Sequence, residues 1–180
     1  MPLKSSLCYS VALATVATAT LAPVASAATF NFSYTSSAGT ITATVDGTLQ
    51  LDNNTVFVSS ISNPTFNGSP APALPFVGSY LDSIFGGVVT GQAVLSLDGS
   101  GLDFIACNTT NCIDGFGFLP AGFIAPVDLF ASSDGYGSTG GEVVVLANYS
   151  LTTVPEPATV LGLLSVAGVG LLCKGRKLEK

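Results

Sequence analysis

The chain has 180 residues, 48% of them hydrophobic and only 9% charged, well below the roughly 25% charged that is usual in a soluble domain. It has no His and no Trp, and its five basic residues lie at the two ends: Lys4, then Lys174, Arg176, Lys177 and Lys180. From Ala28 to Val154 there is no Lys or Arg but there are nine acids, Asp46, Asp52, Asp82, Asp98, Asp103, Asp114, Asp128, Asp134 and Glu142, for a formal charge of −9. A Ser-His-Asp or Cys-His device needs a His, and a Schiff base or Ser-Lys dyad needs a Lys. Nucleic-acid binding needs basic phosphate contacts. The middle of the chain therefore excludes these chemistries.

In chain order, the first element is an address. Lys4 is a positive n-region, Leu7 to Leu21 an apolar h-region and Pro23 its break. Ala25-Ser26-Ala27 then fits the small-x-small cleavage pattern, which predicts a secretory signal peptide over residues 1–27 and a mature chain beginning at Ala28. Signal peptidase is the expected processing partner. Cys8 lies at the very start of the apolar run, where a lipoprotein cysteine would follow it.

Residues 28–153 read as one exported domain. They are rich in Ser, Thr and Gly, lack helical periodicity, and show strand signals at short spacing. Phe30, Phe32 and Tyr34 alternate on one face, and Ile41, Ala43 and Val45 alternate with Thr40, Thr42 and Thr44. Asp46-Gly47 reads as a turn or bulge. Asp52-Asn53-Asn54 turns into a hairpin partner, Thr55 to Ile61. Ser62 to Pro75, with four prolines, reads as loop, and Phe76 to Phe85 as a short helix or irregular cover. Val88 to Leu97 and Leu102 to Ala106 flank Asp98-Gly99-Ser100-Gly101, the signature of a four-residue hairpin turn. Phe116 to Leu119 and Val127 to Ala131 are short strands, and Glu142 to Thr153 is the longest candidate. The expected fold is all-β, a single antiparallel β-sandwich or jelly-roll-like domain.

Candidate sites are few. Cys107 and Cys112 are the two cysteines of the exported part, and outside the cytoplasm such a pair reads as a disulfide. A loop so small contributes about 2 kcal/mol on the chain-entropy model. Gly135 to Gly140 matches G-x-G-x-x-G but precedes a predicted strand, the reverse of a dinucleotide site, so it reads as a hairpin loop. Asp98 and Asp103 form a weak Ca²⁺ candidate without EF-hand spacing, and no other metal ligand set and no cofactor is expected. Asp82, Asp98, Asp103, Asp114 and Asp128 offer carboxylates for glycoside hydrolysis, but no spacing singles out a pair. Without Trp, sugar stacking is left to Tyr34, Tyr80 and Tyr136. Thr40, Thr42 and Thr44 put three hydroxyls on one strand face, a single copy of a pattern that ordered-water surfaces repeat many times.

The last element is a second address. Val154-Pro155-Glu156-Pro157-Ala158 leads into the apolar run Thr159 to Cys173 and then Lys174-Gly175-Arg176-Lys177. As a helix, Ala158 to Cys173 would extend about 24 Å, slightly short of a ~30 Å hydrocarbon core. Lys174, Arg176 and Lys177 can snorkel to the headgroups and hold that end on the cytoplasmic side. The ordered triple over residues 154–180 of Pro155, Glu156 and Pro157, apolar helix and basic tail resembles the PEP-CTERM sorting signal. The resemblance implies that an exosortase reads Pro155, Glu156 and Pro157, that a membrane-anchored intermediate forms transiently through the C-terminal helix, and that the tail is removed at the cell surface or outside, in bacteria that make exopolysaccharide. The expectation is a non-enzymatic structural or adhesive protein of the cell surface or extracellular matrix. A polysaccharide-binding module is the alternative, and a carboxylate-based glycoside hydrolase the third reading.

Overall fold

The computed structural model describes residues 25–122 and 124–155. Eleven strands among them form two antiparallel sheets: β1 Ser26–Thr35, β2 Thr40–Leu49, β3 Thr55–Phe66, β4 Ser69–Pro70, β5 Phe76–Gly78, β6 Ala93–Ser96, β7 Phe104–Cys107, β8 Gly115–Leu119, β9 Leu129–Ser132, β10 Glu142–Val143 and β11 Tyr149–Thr153. Sheet A has the order β11-β1-β2-β3-β4, with β6 also paired to β3; sheet B has the order β10-β9-β8-β7-β5. The all-β expectation holds. The connectivity is two meanders that exchange strands, not the alternation between sheets of a jelly roll. The apolar spans expected in the leader and the tail lie outside the described residues, and among the described residues no helix is long and apolar enough to cross a membrane.

The alternation read in the sequence sets the inner face of sheet A. Phe30, Phe32 and Tyr34 of β1 and Ile41, Ala43 and Val45 of β2 are all buried. From sheet B, β8 and β9 send in Phe116, Phe118 and Phe130. The two sets meet ring against ring: Phe32 stacks on Phe116 at 5.6 Å, Tyr34 meets Phe118 edge-on at 5.1 Å, and Tyr34 lies 4.6 Å from Phe130. Offset and edge-on pairs of this kind add to the area term of burial.

Three sequence expectations are corrected. The strand after the Asp52–Asn54 turn does not stop at Ile61 but runs to Phe66. Pro64 is accommodated because the β2–β3 register shifts between Thr42 and Thr44, beside Asn63 in a left-handed conformation with φ 50°; a bulge removes the need for the missing amide donor. The hairpin expected around Asp98–Gly101 does not form a continuous pair. Val94 and Asp103 make one bridge, after which β6 pairs with β3 in sheet A and β7 with β8 in sheet B, so the turn is a corner between the sheets. Glu142 to Thr153 is likewise not one strand. β10 ends in sheet B, a 3-10 turn at Leu146–Asn148 redirects the chain, and β11 adds to sheet A beside β1.

The ambiguous Phe76 to Phe85 becomes β5 and then helix α1, Tyr80–Gly86. Ser79 is its N-cap, its hydroxyl accepting from the Asp82 amide, and Gly87 ends it in a left-handed conformation. Helix α1 lies against the outer side of sheet B: a Cβ on Gly117 of β8 would come within 2.5 Å of the Tyr80 ring.

Candidate functional site: the joined ends and the hydroxyl face

β1 begins at the expected leader junction and β11 ends at the expected sorting motif, and the two are neighbours. Phe30 faces Thr153 in their antiparallel register, and the Val154 amide donates to the Thr29 carbonyl at 2.8 Å. Paired backbone therefore ends one residue before Pro155. Ala27, Ala28, Asp46, Ser59, Val154 and Pro155 line a cleft of about 400 Å³. Ala25 and Ala27 are exposed and Ala28 is half-buried. Of the sorting motif, Pro155 is exposed at the cleft. Glu156, Pro157, Lys174, Arg176 and Lys177 lie outside the described residues. The sequence suggests both expected junctions but not their adjacency, because strand pairing across so many residues leaves no local signal.

The outer face of sheet A carries the second feature. Every inward apolar residue of β1 and β2 is followed by an outward polar one, so cross-strand register lines hydroxyls up in rows. Ser150, Ser33, Thr42 and Thr65 form one row across four strands. Thr152, Asn31, Thr44 and Ser62 form the next. Thr42 and Thr65 hydrogen-bond at 2.7 Å, and Thr35 and Thr40 at 2.9 Å. Strands are spaced roughly 4.8 Å apart, so the face carries closely spaced rows of donors and acceptors, with the β2–β3 bulge between them. The Thr40, Thr42 and Thr44 run is thus one line in a broader array that the sequence did not reveal.

Among the described residues there is no Lys, Arg or His, and hydroxyl and amide donors hold the carboxylates of Asp46, Asp52, Asp98, Asp103, Asp114, Asp128 and Glu142. Asp46 accepts from Thr29 and Ser60, Asp103 from Ser79 and the Leu81 amide, and Asp114 from Ser133 and the Gly135 amide. Glu142 accepts from the Ser37 amide and Asp128 from the Ala121 amide. Asp98 accepts from the Ser100 hydroxyl at 2.7 Å, the Ser100 amide and Asn54, and these bonds, the Ser100 hydroxyl foremost, hold it far below the usual carboxylate range. Asp52 is lowered in the same way by Thr55. Hydrogen bonds to the charged form favour ionisation, and at Asp98 and Asp52 they take the place of basic partners.

The remaining sequence candidates resolve as follows. Cys107 and Cys112 are joined in a disulfide with Cα atoms 4.9 Å apart. Asp98 and Asp103 are not brought into one cage: Asp98 stays with the corner turn, while Asp103 is spent on the N-terminus of α1. No group of three or more His, Cys, Asp or Glu positioned for a metal occurs among the described residues. Tyr34 and Tyr136 are not sugar-stacking platforms, because both are fully buried. The Tyr136 hydroxyl donates to the Pro72 carbonyl and the Tyr149 hydroxyl to the Ser96 carbonyl at 2.8 Å. Burial, the largest cause, raises all three phenols above their ordinary value. Tyr80 is half-buried over β8. Gly135–Gly140 is a loop tethered by Asp114 and by Gly137, packed on Ala38 and Phe66.

Comparison with known proteins bears on the tail. The family model of the PEP-CTERM protein-sorting motif matches residues 153–177. No curated protein and no solved structure matches the chain.

Proposed function

We propose that this PEP-CTERM motif-bearing chain, an exported exosortase substrate, is a non-enzymatic protein of the cell surface or extracellular matrix, and that it associates with polysaccharide through the outer face of sheet A. The observation that carries the reading is the hydroxyl grid, with rows such as Ser150, Ser33, Thr42 and Thr65. Each hydrogen bond contributes only about 0.5–1.5 kcal/mol net, so an extended hydroxyl face favours a long polymer that makes many of them over a single sugar held in a pocket. The charge of −9 on residues 28–154 disfavours strongly anionic polymers, because like charges brought together are repelled. Uncharged polysaccharide is the better match.

Absence of enzymatic activity is part of the proposal. It is supported by two of the carboxylates named as hydrolase candidates: Asp103 and Asp114 are held by Ser79 and Ser133 in structural roles. The test is co-sedimentation of the released protein with the polysaccharide of its own cells. The triple variant Ser33→Ala, Thr42→Val, Thr44→Val, folded as judged by circular dichroism, is expected to lose at least tenfold in retention. Equal retention of variant and wild type would sink the polysaccharide-face reading.

A further inference from the structure

Hydrolysis of the Ala27–Ala28 bond by the leader peptidase adds one water, leaving a carboxylate on Ala27 and an ammonium on Ala28. Residues 28–154 contain no Lys, Arg or His, so once the tail is gone this ammonium is the body's one cation. Its position can be read from the ladder. The β1–β2 hairpin closes with the Ser36 amide donating to the Gly39 carbonyl at 2.9 Å, and antiparallel pairs alternate from such a bond. Ala28, opposite Gly47, falls in a hydrogen-bonded pair, so the Ala28 nitrogen faces the Gly47 carbonyl. In the neighbouring pair Thr29 faces Asp46, and the Thr29 hydroxyl donates to the Asp46 carboxylate at 2.8 Å. Ser60 of β3 donates to its other oxygen at 3.1 Å.

We infer that the amino group freed at Ala28 is itself a ligand of this protein, seated on the Gly47 carbonyl and the Asp46 carboxylate in the cleft beside Pro155. The inference rests on the export reading and on cleavage after Ala27. Among the described residues lining the cleft, Asp46 is the one ionisable group. β3 contributes Ser59, and the end of β11 contributes Val154 and Pro155. Glu156 follows in sequence, outside the described residues. The leader cut thus converts an ordinary ladder donor into a charge-assisted one, and charged donors form the stronger bonds. The strand so fastened is the one that holds β11, so the first processing step secures the pair from which the sorting motif emerges.

The sign of the pH effect is definite. An α-amino group ordinarily titrates at about 7.7–8.0, and a carboxylate partner raises that value in the folded state. The latch is fully present below the ordinary value and is lost as pH rises through the higher folded value.

The test uses the exported, processed protein from its own cells and its Asp46→Asn variant. Intact mass first establishes the N-terminal residue. Acylation by an activated acetate ester at pH 7 then labels the amine at Ala28, read by mass on the N-terminal peptide. The expected result is acylation at least tenfold slower in the wild type than in Asp46→Asn, and at least tenfold slower in folded than in urea-unfolded wild type. The second comparison decides the matter if Asp46→Asn does not fold. An N-terminus other than Ala28 overturns the cleavage reading and the latch together. Ala28 with rates within twofold in the decisive comparison overturns the latch alone.

Discussion

The two sheets share one aromatic interior but have opposite exteriors. On sheet A the inward apolar residues alternate with Ser, Thr and Asn, and the outer face is open to solvent. On sheet B the central strand Gly-Phe-Gly-Phe-Leu of β8 is buried at every position. Its phenylalanines point inward, and its glycines leave room on the outside for close neighbours such as Tyr80 of α1. One sheet keeps a face for the surroundings, and the other spends its face on a covering helix. The difference comes from what alternates with the apolar residues, hydroxyls in one case and hydrogen atoms in the other.

The largest effect is expected where both sheets meet. Phe116→Ala removes a ring that contacts Phe32, Phe104 and Tyr136 and should cost about 4 kcal/mol, read as a lowered midpoint in urea unfolding of the released protein. Next comes the covered face. Gly117→Ala places a Cβ 2.6 Å from the Phe104 carbonyl oxygen and 2.5 Å from the Tyr80 ring, and should cost about 2 kcal/mol by overpacking. Removing the disulfide with Cys107→Ser and Cys112→Ser should also cost about 2 kcal/mol, seen as a lower thermal midpoint. On the open face, Thr42→Val should shift stability by no more than about 0.5 kcal/mol. A large loss there would erase the contrast between the two exteriors.

The interior also gives the molecule an alkaline limit. Tyr34, Tyr136 and Tyr149 are raised by burial. Their protons are therefore kept in the folded state when the unfolded chain has begun to release them, at about pH 10. The contribution of these three phenols to stability should be constant below that pH and fall above it. Ultraviolet titration of the phenolates should show them ionising only together with unfolding.

Sheet A was largely legible because its alternation is local: Phe30 to Tyr34 and Ile41 to Val45 each report a buried face within a few residues. The extension of β3 was hidden by Pro64, which looks like a strand breaker until the bulge beside it is known. The Asp98–Gly101 turn has good local turn chemistry, yet that chemistry does not say which partners the flanking strands choose, and they choose opposite sheets. The hydroxyl grid and the joined ends were invisible for the same reason. Each Ser or Thr is ordinary in its own strand, and only the register of four strands makes rows of them. The sorting motif, by contrast, is read from contiguous residues and needs no fold, as the family match over residues 153–177 shows.

The central claim is that this domain reaches the outside by way of two removable ends. The most direct measurement is the intact mass of the protein released by its native cell. The expected chain starts at Ala28, has lost the segment beyond the Pro155-Glu156-Pro157 region, and is short by two hydrogens for the Cys107–Cys112 bond. A mass corresponding to all 180 residues, or to a chain that keeps its basic tail, would contradict it.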